Sequence, residues 1–172
     1  MEFTTLGRTE LKVSVASLGC GGGSSLGLKQ GKSEEHAAGI VRQAVDLGVN
    51  FIDTANAYGT EAAVGKGLKG VARDQVVIST KHHAAWSGTT HSVEDVVAGL
   101  DNSLRELQTD YVDVFHLHGV SPKVLDHAMA MVPVLLKEKE KGKFRFLGIT
   151  ESAPQDPTQI ALAAALEEDC FD

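Results

Sequence analysis

Two alternating periodicities constrain this chain more than any single motif. Short runs rich in β-branched and aromatic residues, at Val15–Leu18, Asn50–Asp53, Val76–Lys81, Tyr111–His118 and Phe144–Thr150, are separated by longer stretches with apolar residues at helical spacing. Strand and helix taking turns five times predicts an α/β chain with a parallel sheet and right-handed crossovers. Ahead of it, residues 3 to 15 read as a hairpin around Gly7-Arg8. Ser33 caps a helix with Glu34 and Glu35 in its first turn, and Gly48 stops it. Residues 61 to 68 make a short helix, and Ser92 caps a longer one whose stripe is Val93, Val96, Val97, Leu100, Leu104 and Leu107. Residues 121 to 141 read as helix that Pro133 must kink or divide, closed by Gly142, and residues 157 to 168 as a last amphipathic helix.

In such folds chemistry collects where strands end. Asp53 closes the second run and Tyr58 follows five residues later; Lys81 closes the third run and His118 the fourth. In an open sheet these ends form a row spaced by about 4.8 Å per strand, whereas barrel curvature turns them toward one axis. A cluster therefore favours a (β/α)8 barrel. The chain has 172 residues, where a closed barrel typically needs about 250, so residues 1–172 read as one partial barrel domain of about five βα units.

The glycine-rich stretch Gly19–Gly27 invites two nucleotide-binding readings. A dinucleotide fingerprint finds Gly19 and Gly21 but Ser24 at the third glycine position, and the helix opens too late. A P-loop finds Gly31-Lys32-Ser33 opening a helix, but Leu26 stands where the first glycine belongs. A long loop at a strand's end is favoured over both. A net charge of −7 gives no reason to expect a nucleic-acid partner. Cys20 and Cys170 lack metal-ligand spacing, so free thiols, no metal and a reducing, cytoplasmic setting are expected. No apolar run approaches a membrane span, and none stands near the N-terminus as a leader.

Asn50-Phe-Ile-Asp-Thr-Ala-Asn-Ala-Tyr-Gly59, Ser79-Thr-Lys81, Asp110-Tyr-Val-Asp-Val-Phe-His-Leu-His118 and Gly142-Lys-Phe-Arg-Phe-Leu-Gly148 together resemble the N-terminal part of an aldo-keto reductase. The likeness runs through essentially the whole chain. It implies NAD(P)H-dependent reduction of aldehyde or ketone carbonyls to alcohols, with NADPH or NADH as cofactor and a small carbonyl compound as substrate. Tyr58 would be the general acid, Lys81 the ammonium that stabilises its phenolate, Asp53 the carboxylate that keeps the lysine cationic, and His118 the residue that orients the substrate oxygen. His116 competes with His118, but alternation and the family pattern favour the latter. His82 and Trp86 would line the substrate pocket, with His83 beside them; His36, His91 and His127 read as solvated.

Asp53, Thr150 and Glu151 fall where the family contacts its cofactor. The family's usual Ser-Asn is replaced by Thr150-Glu151, which keeps a hydroxyl but exchanges an amide for an acceptor-only carboxylate. The family's later strands, which carry the nicotinamide-stacking aromatic and the phosphate-binding basic residues, have no counterpart among these residues. The alternatives are a non-catalytic fragment or binding subunit of the family, and a P-loop nucleotide-binding protein. A five-stranded remnant is also expected to self-associate through its unpaired strand edges.

Overall fold

The computed structural model describes all 172 residues. A hairpin, β1 (Phe3–Thr5) and β2 (Lys12–Ser14), precedes a five-stranded parallel sheet. The sheet contains β3 (Leu18–Gly19), β4 (Phe51–Asp53), β5 (Val77–His83), β8 (Val112–Val120) and β9 (Phe144–Glu151), side by side in chain order. A small ribbon, β6 (Ala85–Trp86) with β7 (Thr89–Thr90), follows β5. Helices α1 (Glu34–Asp46), α2 (Glu61–Gly67), α3 (Val93–Leu107) and α4 (Leu125–Glu140) make the crossovers, and α5 (Ile160–Ala165) follows β9. This is the wall of a (β/α)8 barrel, five strands of it.

Local chemistry explains most boundaries. The Ser33 hydroxyl accepts from the His36 amide at the start of α1, and Gly48 ends the segment at φ +90°. Ser92 and Asp95 form a reciprocal capping box on α3. Three expectations change. The first core strand is not Val15–Leu18: the chain bends at Val15, whose side chain is 62% exposed, and sheet pairing begins only at Leu18 opposite Ile52. The Val15 amide is instead spent on the Glu2 carbonyl, extending the hairpin. Of the two outcomes expected at Pro133, a kink or a division, division is excluded: α4 runs through it as one element, with Met131, Val132 and Leu135 buried around it. The last helix is shorter than residues 157 to 168, since the Asp156 carboxylate accepts from the Ile160 and Ala161 amides at 2.9 and 2.7 Å and starts α5 there.

The sheet's two faces have different company. Ile52, Ile78, Phe115, Leu117 and Leu147 meet the helices in the main apolar core. On the opposite, concave face Val77 and Val114 join Leu11 and Val13 of the hairpin segment, with Phe51 and Phe146 packed alongside. The hairpin thus floors the barrel interior. Because successive strand side chains alternate, Ser79, Lys81 and His83 rise from Val77 on the concave face, and His116 and His118 rise from Val114. An apolar floor beneath polar side chains positions everything that follows.

Candidate active site

The site is built around a buried lysine. Lys81 is 6% exposed, and a buried ammonium needs partners for its three protons. It finds all three: Asp53 Oδ1 and Oδ2, each at 2.7 Å, and the Thr54 carbonyl at 2.8 Å. Strand β4 ends at Asp53, which pairs in register with Ser79 of β5, so carboxylate and ammonium reach each other across adjacent strands. The Ser79 hydroxyl donates to Asp53 Oδ1 at 2.9 Å, fixing the carboxylate from a second side.

Tyr58 ends the 3-10 turn Asn56–Tyr58, and Gly59 at φ +67° lets the chain leave toward α2. The phenol ring lies with its centroid 5.0 Å from Lys81 Nζ and meets the His118 ring edge-on, centroids 5.6 Å apart. Gly21 presses on its other face: a β-carbon there would lie 2.7–2.8 Å from three ring carbons. The glycine-rich loop therefore makes room for a phenol. It is not arranged for phosphates, since the Gly27, Leu28, Gly31 and Lys32 amides all bond to carbonyls within the loop.

His118 is held from outside as well. Its ring stacks on His83, centroids 4.2 Å apart and planes 12° apart, and His83 Nδ1 lies 2.9 Å from the His118 carbonyl. Trp86 covers the far side of His83 at 4.3 Å. Burial, then the neighbouring His83 and Lys81, push the His118 pKa down to about 4, so the imidazole is neutral near pH 7. Its Nδ1 is buried without a partner; placing the proton on Nε2 avoids a stranded N–H donor. Cys20, at 0% exposure, has its thiol pushed up to about 12 by burial and by Asp53, so it stays protonated.

The structure thus gathers Asp53, Tyr58, Lys81 and His118. His82 it turns away: the ring points between the sheet and α3, so close to Gly99 that a β-carbon there would sit 2.2 Å from it, and it meets His91 edge-on at 5.5 Å. His82 is therefore not a pocket residue. Alternation from Lys81 carries the signal, since it sends His82 outward and His83 inward once β5 extends two residues past the lysine. Trp86 is 62% exposed, on the ribbon at the mouth. Thr150 and Glu151 end β9; the Thr150 hydroxyl accepts from the Gly119 amide at 2.8 Å, closing the irregularity where β8 and β9 change register. Asp53 is one third exposed beside the lysine. Sequence reasoning missed Gly21, Ser79 and the Thr54 carbonyl, because none of their contacts is local.

The Aldo/keto reductase family profile matches residues 17–167. The chain belongs to the aldo-keto reductase family. It is 41% identical to the L-galactose dehydrogenase of Arabidopsis thaliana over 157 residues, covering 87% of this chain and 48% of that protein. Among solved structures, the holo form of the aldo-keto reductase AKR11C1 from Bacillus halodurans superposes with a TM-score of 0.72 at 31% identity, over 88% of this chain and 50% of that one. The Bombyx mori aldo-keto reductase AKR2E4, solved in complex with NADP, gives 0.65 at 25% identity over 86% and 50%. The chain spans about half the length of the curated relatives it matches, 48% of the Arabidopsis protein and 47% of the aldo-keto reductase YhdN of Bacillus subtilis. No helix is long and apolar enough to cross a membrane, and no group of three or more His, Cys, Asp or Glu side chains is gathered to hold a metal.

Proposed function

We propose that this aldo-keto reductase chain carries the proton-donating half of a carbonyl-reduction site. The observation that supports this best is a lysine with all three protons engaged, held 5.0 Å from the centre of a phenol ring. Tyr58 gives its hydroxyl proton to the carbonyl oxygen. Lys81 has no proton left to pass on and acts as a fixed positive charge that favours the phenolate left behind. Asp53 holds that charge in place. His118, neutral and protonated on Nε2, donates to the same oxygen and sets its direction.

A nicotinamide cofactor, NADPH or NADH, supplies hydride to the carbonyl carbon when bound. The residues at the end of β9 suit its carboxamide. Thr150 already accepts from Gly119, so its own proton would be free for the amide oxygen, and the Glu151 carboxylate would accept from the amide nitrogen. Asp53, one third exposed, offers a separate acceptor at the end of β4. The Bombyx mori relative's complex with NADP points the same way.

The substrate reads as a small hydroxyl-bearing carbonyl compound. A cavity of about 390 Å³ adjoins the site at Gly119, next to His118 but not lined by it, and is walled by Trp86, Ser87, Thr90, Ser121, Ser152 and Gln155, whose hydroxyls and amide match a polyol better than an apolar chain. The relative named L-galactose dehydrogenase agrees with a sugar. The test is NADPH consumption by the full-length protein with a hydroxyaldehyde or aldose and with an apolar aldehyde of equal size, alongside nicotinamide fluorescence with NADPH and with ATP. Fluorescence quenching by NADPH and faster turnover of the polar substrate are expected. Cofactor binding without turnover would favour a binding subunit instead, and a response to ATP alone a nucleotide-binding protein.

A further inference from the structure

One half-buried histidine, its Nδ1 fully enclosed, has no part in the chemistry just described. His116 is paired in register with Lys81 across β5 and β8, two residues before His118 and two after Val114 of the apolar floor. Its Nε2 is 3.1 Å from the Ser79 hydroxyl oxygen, and that hydroxyl is 2.9 Å from Asp53 Oδ1. Ser79 is fully buried.

The direction of this chain follows from proton counting. The Asp53 carboxylate can only accept, so the Ser79 proton goes to it, and the Ser79 oxygen must then accept from His116 Nε2–H. His116 Nδ1 is left bare. It is buried without a partner and pressed against Gly148, where a β-carbon would lie 2.2 Å from it. A proton on Nδ1 would find no acceptor, while the reverse tautomer would take the Ser79 hydroxyl away from Asp53. The charged and titratable groups facing this imidazole are Asp53 and Lys81, with His118 on the same strand and Cys20 beside the carboxylate. Burial, with Lys81 adding to it, pushes the His116 pKa down to about 4, in keeping with a ring that stays neutral.

We infer that His116 is a positioning residue for the Asp53–Lys81 pair, acting through Ser79: its Nε2–H fixes the serine hydroxyl toward Asp53 Oδ1, so the carboxylate keeps one rotation and the lysine one place beside Tyr58. The inference rests on the carbonyl-reduction reading. It needs a one-proton donor at position 116, not specifically an imidazole.

The experiment uses the full-length protein with ring-nitrogen-labelled histidine and the variants His116→Phe, Ser79→Ala, their combination, and His116→Gln. In the wild type, nuclear magnetic resonance should find His116 neutral with its proton on Nε2. Each single variant should lower kcat about tenfold with KM little changed, because a small displacement of the pair is felt in the chemical step. The double variant should be no worse than the singles, and His116→Gln should recover most of the loss. A proton on Nδ1, additive losses in the double variant, or a His116→Gln as impaired as His116→Phe would overturn the role. Should His116→Phe fail to fold, Ser79→Ala, which removes a single oxygen, carries the same comparison. Tyr58→Phe runs alongside: wild-type turnover there refutes the carbonyl-reduction reading itself, whereas its loss together with undiminished turnover in His116→Phe refutes only the positioning.

Discussion

Gly21→Ala changes the site by one methyl group that touches neither the lysine nor the substrate cavity. Gly21 does not have a positive φ, so alanine suits the backbone and the whole effect comes from contact. The new β-carbon would sit 2.7 Å from Tyr58 Cε2 and 2.8 Å from Cδ2 and Cζ, where carbon atoms ordinarily rest about 3.5–4.0 Å apart. The ring must therefore retreat by about 1 Å, or the loop must lift by as much. Forcing extra volume into a packed contact costs about 1–2 kcal/mol of stability. A proton donor displaced by that distance should lose about 10- to 100-fold in kcat, which corresponds to about 1.4–2.7 kcal/mol of barrier. Cofactor affinity should hardly change, since Thr150 and Glu151 lie across the sheet. The assay is steady-state aldehyde reduction with a nicotinamide fluorescence titration and a thermal melt on the same preparation. Undiminished kcat in a Gly21→Ala protein that melts as expected would show that the loop does not set the phenol's position.

Other perturbations probe other parts of the account. Lys81→Met should be at least as damaging to kcat as any loss at Tyr58 and should destabilise the protein by about 2–3 kcal/mol. Breaking a buried pair costs more, but Asp53 is one third exposed and water recovers part of it; denaturant unfolding measures this, and an unchanged midpoint would contradict it. His116 and His118 both have native pKa values near 4, below the unfolded value of about 6.5. The unfolded chain thus binds protons first on acidification. The stability these rings contribute is complete above about pH 6.5 and is lost as pH falls toward 4, at up to about 1.4 kcal/mol per pH unit for the more buried His116 and less for the partly solvated His118. The stability slope of His116→Phe over that window should be correspondingly shallower, and an unchanged slope would refute the assignment. Residues 1–172 expressed alone should self-associate on sedimentation. The outer edge of β9 is covered only at Leu147, by the Asp172 amide and carboxylate, and a monodisperse monomer would show that this short contact suffices.

Most of the frame was legible because its signals are local. Ser33, Ser92, Gly48 and Gly142 punctuate helices by their own chemistry, and the runs Val76–Lys81 and Tyr111–His118 mark their strands, although each strand continues two residues further, to His83 and Val120. What was not legible depends on residues distant in sequence. Val15 looks like a core strand residue until the hairpin claims its amide. His82 looks like a pocket residue until β5 extends far enough for alternation to place His83 there instead. Gly21 looks like a flexible loop until Tyr58, 37 residues later, arrives against it. The triad of Asp53, Ser79 and His116 spans three strands, and no spacing rule joins them.

The central claim is that Tyr58 donates the proton while the rest of the site stays assembled without it. Tyr58→Phe removes one oxygen and leaves the ring between Gly21 and His118. The decisive measurement is single-turnover reduction of a reactive aldehyde by the full-length Tyr58→Phe protein loaded with NADPH. The rate should fall at least about 100-fold, as loss of a general acid does, while cofactor affinity stays within about twofold of the wild type. A rate near the wild-type value with cofactor bound would contradict the claim.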